Sequence, residues 1–114
     1  MNRRVFAVAL SLAVGLAFAP RLALAESHHL AEAVKHTKEA IDHGKQGHAD
    51  VLVTHAEMAL KHAEQAEAEK ANPHTKEGIT HLQAAIDTGK KQDAPGATKH
   101  AEEALTHLEA AEKK

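Results

Sequence analysis

Residues 36–55 read HTKEAIDHGKQGHADVLVTH. Two helix-forming arms flank a Gly-Lys-Gln-Gly turn at residues 44–47. Glycine ends helices because it takes backbone conformations that other residues resist. On the entering arm His36 and His43 are seven residues apart, as are His48 and His55 on the leaving arm. Seven residues are two helical turns, so each pair lies along one face. Arms joined by so short a turn pack antiparallel, and residues at equal height then have numbers of constant sum. His43 with His48 and His36 with His55 both add to 91, and so does the next rung, His29 with His62.

The hairpin recurs 45 residues further on. Ala33–Glu67 aligns with Gly78–Glu112 without a gap, and 16 of 35 positions are identical. A match of that length marks an internal repeat. In the second copy His81 with His100 and His74 with His107 both add to 181, and the next rung falls on Thr88 and Asp93. Ala, Glu, Lys and Leu dominate throughout, all good helix formers. Apolar positions recur at helical spacing: Leu30, Val34 and Ile41, then Val53, Ala56, Leu60 and Ala63 on a helix from about His48 to Glu69. Asn72-Pro73 opens a third helix with Ile79, Leu82 and Ile86. Asp93-Ala94-Pro95 opens a fourth, packing Ala97, Ala101, Ala104 or Leu105, and Leu108. Each opening pairs a capping side chain with an early proline. The pattern predicts an all-α fold, an antiparallel up-down-up-down four-helix bundle built from a duplicated helical hairpin, with repeats at about 29–69 and 74–114.

Upstream of the repeats the composition changes. Arg3 and Arg4 precede an uncharged apolar run, Val5 to Ala19, and Ala23-Leu24-Ala25 is a small-x-small site. This is the layout of a signal peptide over residues 1–25. As a helix the run spans about 22 Å, short of the ~30 Å hydrocarbon core, which argues against an anchor. Export to the periplasm is the expectation, and Arg3-Arg4-Val5-Phe6 leaves the general secretory and twin-arginine routes both open. The remaining domain, 26–114, keeps 11 His, 11 Lys and all 16 acids of the chain. Its charge is therefore −5 with neutral imidazoles and +6 with all of them protonated. It holds 13 large aliphatic residues or Met, a thin core for a domain of this size.

Composition excludes several functions. With no Cys in the chain, disulfides, thiolate metal sites and iron–sulfur clusters are out. No aromatic residue follows position 18 and the charge is not basic, so nothing favours nucleic acid. No membrane association is expected once the signal is removed. An enzyme of the di-metal carboxylate class needs core Glu-x-x-His pairs. The one such motif here is Glu26-x-x-His29, so no enzyme is expected.

The histidines carry the functional reading. The unit H-x-x-E-x-x-x-H occurs four times, as His29-Glu32-His36, His36-Glu39-His43, His74-Glu77-His81 and His100-Glu103-His107. Residues three and four apart are neighbours on a helix surface, so each unit is a ladder of imidazole, carboxylate and imidazole. In His55-Met58-His62 a Met stands at the carboxylate's place, best read as a helix-face filler. Two His at i, i+7 are about 10 Å apart and cannot share an ion. A His with its i+3 Glu and a His from the facing helix can. The candidate metal ligands are therefore His29, Glu32, His36, Glu39, His43, His48, His55, His62, His74, Glu77, His81, His100, Glu103 and His107. Nitrogen and oxygen donors suit Cu(II), Ni(II), Zn(II) and Co(II), with Cu(II) bound most tightly. The alternative is a pH-responsive protective or binding protein that exploits the swing in charge.

Glu32-Ala33-Val34-Lys35-His36, Ile41 to His48, Thr98-Lys99-His100-Ala101 and Leu105-Thr106-His107-Leu108 resemble the periplasmic small metal-binding protein family of ammonia-oxidising bacteria. The resemblance spans nearly all of the mature chain. It implies a monomeric helical bundle that binds several divalent metals, copper prominently, for buffering, storage or delivery. The chain departs from that pattern where Thr88-Gly89 replaces a His-Gly ending and Asp93 replaces a helix-opening His. Fewer sites or a weaker second half is the corresponding expectation.

Overall fold

The computed structural model describes residues 28–113. The signal segment expected at residues 1–25 lies outside them. Among the described residues there are four α-helices and no strand. α1 covers residues 28–45, α2 Ala49–Glu69, α3 Pro73–Lys90 and α4 Ala94–Glu112.

Side chains that meet across each interface show how the helices run. His29 meets His62, His36 meets His55 and His43 meets His48, which sets α1 antiparallel to α2. Lys76–Glu67 and Lys90–Glu57 ion pairs do the same for α3 against α2. His74–His107 and His81–His100 align α4 against α3. Lys38–Glu109 and Lys45–Glu102 close the ring between α4 and α1. The result is an up-down-up-down bundle, as the repeat predicts.

Charge sorts the four grooves. Among the described residues every Lys–carboxylate pair joins one hairpin to the other, and every His–carboxylate contact stays within a hairpin. Exposed pairs of this kind contribute only ~0–1 kcal/mol each. These four lysines thus border the grooves between hairpins, and the two His-bearing grooves lie on opposite sides of the bundle.

The core is a seam of small residues. Of 19 buried hydrophobic residues 13 are Ala, and the larger ones are Val34, Ile41, Leu52, Leu82, Ile86 and Leu108. Small side chains bring the helices close together. A Cβ on Gly44 would lie 2.6 Å from Leu52 Cδ1 and closer still to Thr98 Oγ1. Buried Thr37 and Thr98 satisfy their hydroxyls on the carbonyls of Ala33 and Ala94, each at 2.7 Å. On α2 the fully buried large residue is Leu52, with Val53 and Leu60 only partly buried beside it. Ala56 and Ala63 of the expected stripe are fully buried, Val53 and Leu60 only partly, and Leu52 enters the core beside Gly44 and Gly89.

Local chemistry fixes the helix ends. Asn72 accepts from the His74 N–H at 2.8 Å, with Pro73 at the first helical position. Asp93 accepts from the Gly96 N–H at 3.0 Å. His48 stands at the N-cap of α2 but its side chain makes no capping bond.

The two hairpin turns differ in one costly respect. Gly47 takes φ +83 in the first, and its repeat counterpart Gln92 takes φ +65 in the second. A left-handed backbone strains any residue with a Cβ, by roughly 1 kcal/mol. Gln92→Gly is therefore expected to stabilise the domain by about 0.5–1 kcal/mol, or a few degrees in Tm. The exposed bond from Gln92 to Asp50 that it removes is worth less. Thermal unfolding followed by circular dichroism checks this, and an unchanged or lower Tm contradicts it.

Candidate metal centres

The described imidazoles form two continuous files. In the groove between α1 and α2 the rings zigzag from helix to helix. His48 faces His43 with centroids 6.3 Å apart, His43 stacks on His55 at 5.3 Å, and His55 faces His36 at 5.9 Å. His36 stacks on His62 at 5.8 Å, and His62 meets His29 at 5.3 Å. Between α3 and α4 the file runs His100, His81, His107, His74, at 6.3, 5.5 and 5.7 Å. All five equal-height pairs read from the sequence are neighbours in space, and the diagonal contacts link them into rows. The heptad spacing produces this directly, because it keeps every ring on the edge of its helix that borders the groove.

Carboxylates enter these files at four points. Ligand atoms within 4.8 Å of one another come from Glu32, His36 and His62; His36, Glu39 and His55; Glu77, His81 and His107; and His81, His100 and Glu103. Two of the four match the expected set of a His, its i+3 Glu and a His from the facing helix. In these, Glu39 Oε1 lies 3.1 Å from His36 Nδ1 and 3.3 Å from His55 Nδ1. Glu103 Oε1 lies 3.3 Å from His81 Nδ1 and 3.5 Å from His100 Nδ1. The other two use the Glu four residues before the His and the ring of the next rung on the facing helix. His36 Nε2, for example, is 3.7 Å from Glu32 Oε1.

The spacing fits a metal ion. Metal–ligand bonds of ~2.0–2.2 Å place neighbouring donors of one coordination shell roughly 3–3.5 Å apart. The donors also lack other partners. His36 Nδ1, Glu39 Oε1, His55 Nδ1, His100 Nδ1 and His43 Nδ1 are buried and make no hydrogen bond among the described residues. Such atoms are costly to leave unsatisfied, and a cation drawn to one carboxylate and two neutral imidazoles would satisfy several at once. Nitrogen and carboxylate donors together are the set for borderline divalent ions.

The remaining candidate ligands are less completely surrounded. His29 Nδ1 lies 3.0 Å from His62 Nδ1, and His74 Nδ1 lies 3.5 Å from His107 Nδ1, contacts between two imidazoles without a carboxylate. His43 and exposed His48 pair near the turn and belong to no three-ligand group among the described residues. His28, absent from the heptad pattern, brings Nε2 to 3.9 Å from Glu32 and its ring edge-on to His62. Its position four residues before Glu32 was the available signal. The second half is no poorer in three-ligand groups than the first, with two in each hairpin. The expectation of a weaker second half therefore narrows to the turn, where Thr88 and Asp93 replace the His43–His48 pair.

The repeat preserves the ring pair but changes the carboxylate that joins it, both in helix and in level. Glu39 lies on α1, and its counterpart 45 residues on is Ala84. Glu103 lies on α4, and its counterpart is Met58. The two groups nevertheless have the same composition and closely similar spacings.

Burial, followed by the nearby His29, holds the His62 pKa below its ordinary 6.5. Protonation is thus disfavoured in the folded chain. His62 stabilises the fold fully above pH ~6.5, and that contribution is lost as pH falls through its lower folded value. Its lone pair stays available for coordination to lower pH than an ordinary imidazole's would.

A comparison with curated proteins found no significant match. The model of the small metal-binding protein family matches residues 3–111, so the chain belongs to the small metal-binding protein family.

Proposed function

We propose that this protein binds several divalent transition-metal ions in the periplasm as a monomeric buffer, store or carrier, with Cu(II) held most tightly and Ni(II), Zn(II) and Co(II) less so. The observation that carries this reading is the convergence of two imidazole nitrogens on one carboxylate oxygen at 3.1–3.5 Å in both hairpins, with His36, His55 and His100 Nδ1 buried and otherwise unpartnered. The preference for copper follows from the Irving–Williams order on nitrogen and oxygen donors. The periplasmic assignment is supported by the layout of residues 1–25. Two separate files of sites suit holding and releasing ions better than catalysis, which needs one site with a reserved substrate position.

The test is a Cu(II) titration of the mature protein with ions counted per chain. More than one ion per chain is expected at pH 7.5, and less than one contradicts the proposal. Lowering the pH from 7.5 to 5.5 is expected to weaken binding by at least ~10-fold, because protons compete for imidazole nitrogen around pH ~6.5. Affinity unchanged over that range would mean that imidazoles are not the ligands.

A second reading, pH-responsive opening of the bundle, is favoured by the close approach of His29 and His62, where double protonation places like charges together. Circular dichroism of the metal-free protein over the same range decides it. Retained helix rules it out and leaves the metal reading untouched.

A further inference from the structure

Building on the metal-binding proposal, we infer that His36 and His81 each bridge two neighbouring divalent ions through both ring nitrogens, giving each hairpin a coupled dinuclear centre. His36 belongs to two of the three-ligand groups in the first hairpin, and His81 to two in the second. The two nitrogens of His36 face different carboxylates. Nε2 lies 3.7 Å from Glu32 Oε1 and Nδ1 lies 3.1 Å from Glu39 Oε1. These nitrogens sit on divergent edges of one ring, so they cannot serve the same ion.

Each side has its own second imidazole. His62 stacks parallel to His36 and completes the group with Glu32, whereas His55 completes the group with Glu39. His81 likewise belongs to one group with Glu77 and His107 and to another with Glu103 and His100, its Nδ1 lying 3.3 Å from Glu103 Oε1. Its stacking on His107 repeats that of His36 on His62, with interplanar angles of 6° and 4°. The shared imidazole thus recurs in both halves of the repeat, although one carboxylate has changed helix.

A neutral imidazole offers one lone pair and one N–H. The first ion takes the lone pair. When the second binds, the N–H bond breaks, its electron pair forms the new metal–nitrogen bond, and the proton leaves to water. Two carboxylates and one imidazolate then offset three of the four positive charges of the two ions. An imidazole that cannot lose this proton would force the two groups to take turns, one ion excluding the other.

Electron paramagnetic resonance of the full mature chain loaded with Cu(II) alone separates the cases, because copper ions joined by imidazolate couple antiferromagnetically. At saturation the low-temperature integrated signal is expected to fall short of the bound copper by the two ions of each pair, with a half-field transition appearing on warming as the triplet is populated. In the double variant His36→Ala/His81→Ala the spin count is expected to match bound copper, with no half-field transition. The double variant His62→Ala/His107→Ala removes one side of each pair, retains the central ring and is also expected to lose coupling. Circular dichroism checks that each variant is helical. Wild-type spins equal to bound copper, with no half-field transition, would overturn the bridge while leaving metal binding intact. Absence of bound copper would overturn the proposed function itself.

Discussion

Saturating the metal-free protein with Cu(II) is expected to raise its Tm by at least ~10 °C, and a strong chelator is expected to reverse the rise. A ligand bound only by the folded state adds RT ln(1 + [L]/Kd), about 2.7 kcal/mol for one site at a hundredfold excess over Kd. In a domain of this size 1 kcal/mol corresponds to roughly 4–8 °C. The condition that the unfolded chain binds poorly is met by the construction of the groups. His36 and His55 are 19 residues apart, as are His81 and His100, while His36 and His62 are 26 apart. Only the hairpin brings them to one ion. The effect should be large because the core is weak, with 13 of its 19 buried hydrophobic residues being Ala, and a methyl buries little apolar surface. A Tm unchanged by copper would mean that the ions bind without joining the helices.

His36→Ala is expected to weaken copper uptake by the first hairpin by more than ~100-fold, beyond the 10–100-fold that loss of an outer-shell partner costs. The change removes a donor from both three-ligand groups of that hairpin at once. His81→Ala should do the same in the second. His48→Ala, outside every such group, should cost at least ~10-fold less than His36→Ala. Competition against a chromogenic chelator measures all three. Equal losses at His36 and His48 would show that the file binds ions without regard to its carboxylates. Alanine is a good helix former and His36 lies at the groove edge, so the fold should survive the substitution.

The heights of the histidines were legible in the sequence because an antiparallel hairpin obeys simple arithmetic once its turn is found. Gly44 and Gly47 supplied that turn, and all five pairs followed. Which carboxylate joins which ring was legible for Glu39 and Glu103, whose i+3 pairing holds, but not for Glu32 and Glu77. Glu32 has His29 three residues before it and His36 four after, and both spacings are neighbours on a helix. The structure puts Glu32 with His36 and with His62 across the groove. That choice depends on helix rotation, and the burial of Leu52 that reflects it was not distinguishable from that of Val53 by periodicity. The diagonal stacking of His36 on His62 and of His81 on His107 escaped for the same reason.

The exchange of Glu39 for Glu103 bears on how such chains should be compared. Duplication here has kept a pair of facing rings, His36 with His55 and His81 with His100, and let the acid that joins them move to the other bank and to the other side of the pair. Counting donors by sliding one half along the other would find Ala84 and Met58 and report two losses, where the geometry records none. The corollary is that an acid planted at position 58 should stand in for the one at 39. For molecules of this kind, inheritance is best traced through the space around the cargo.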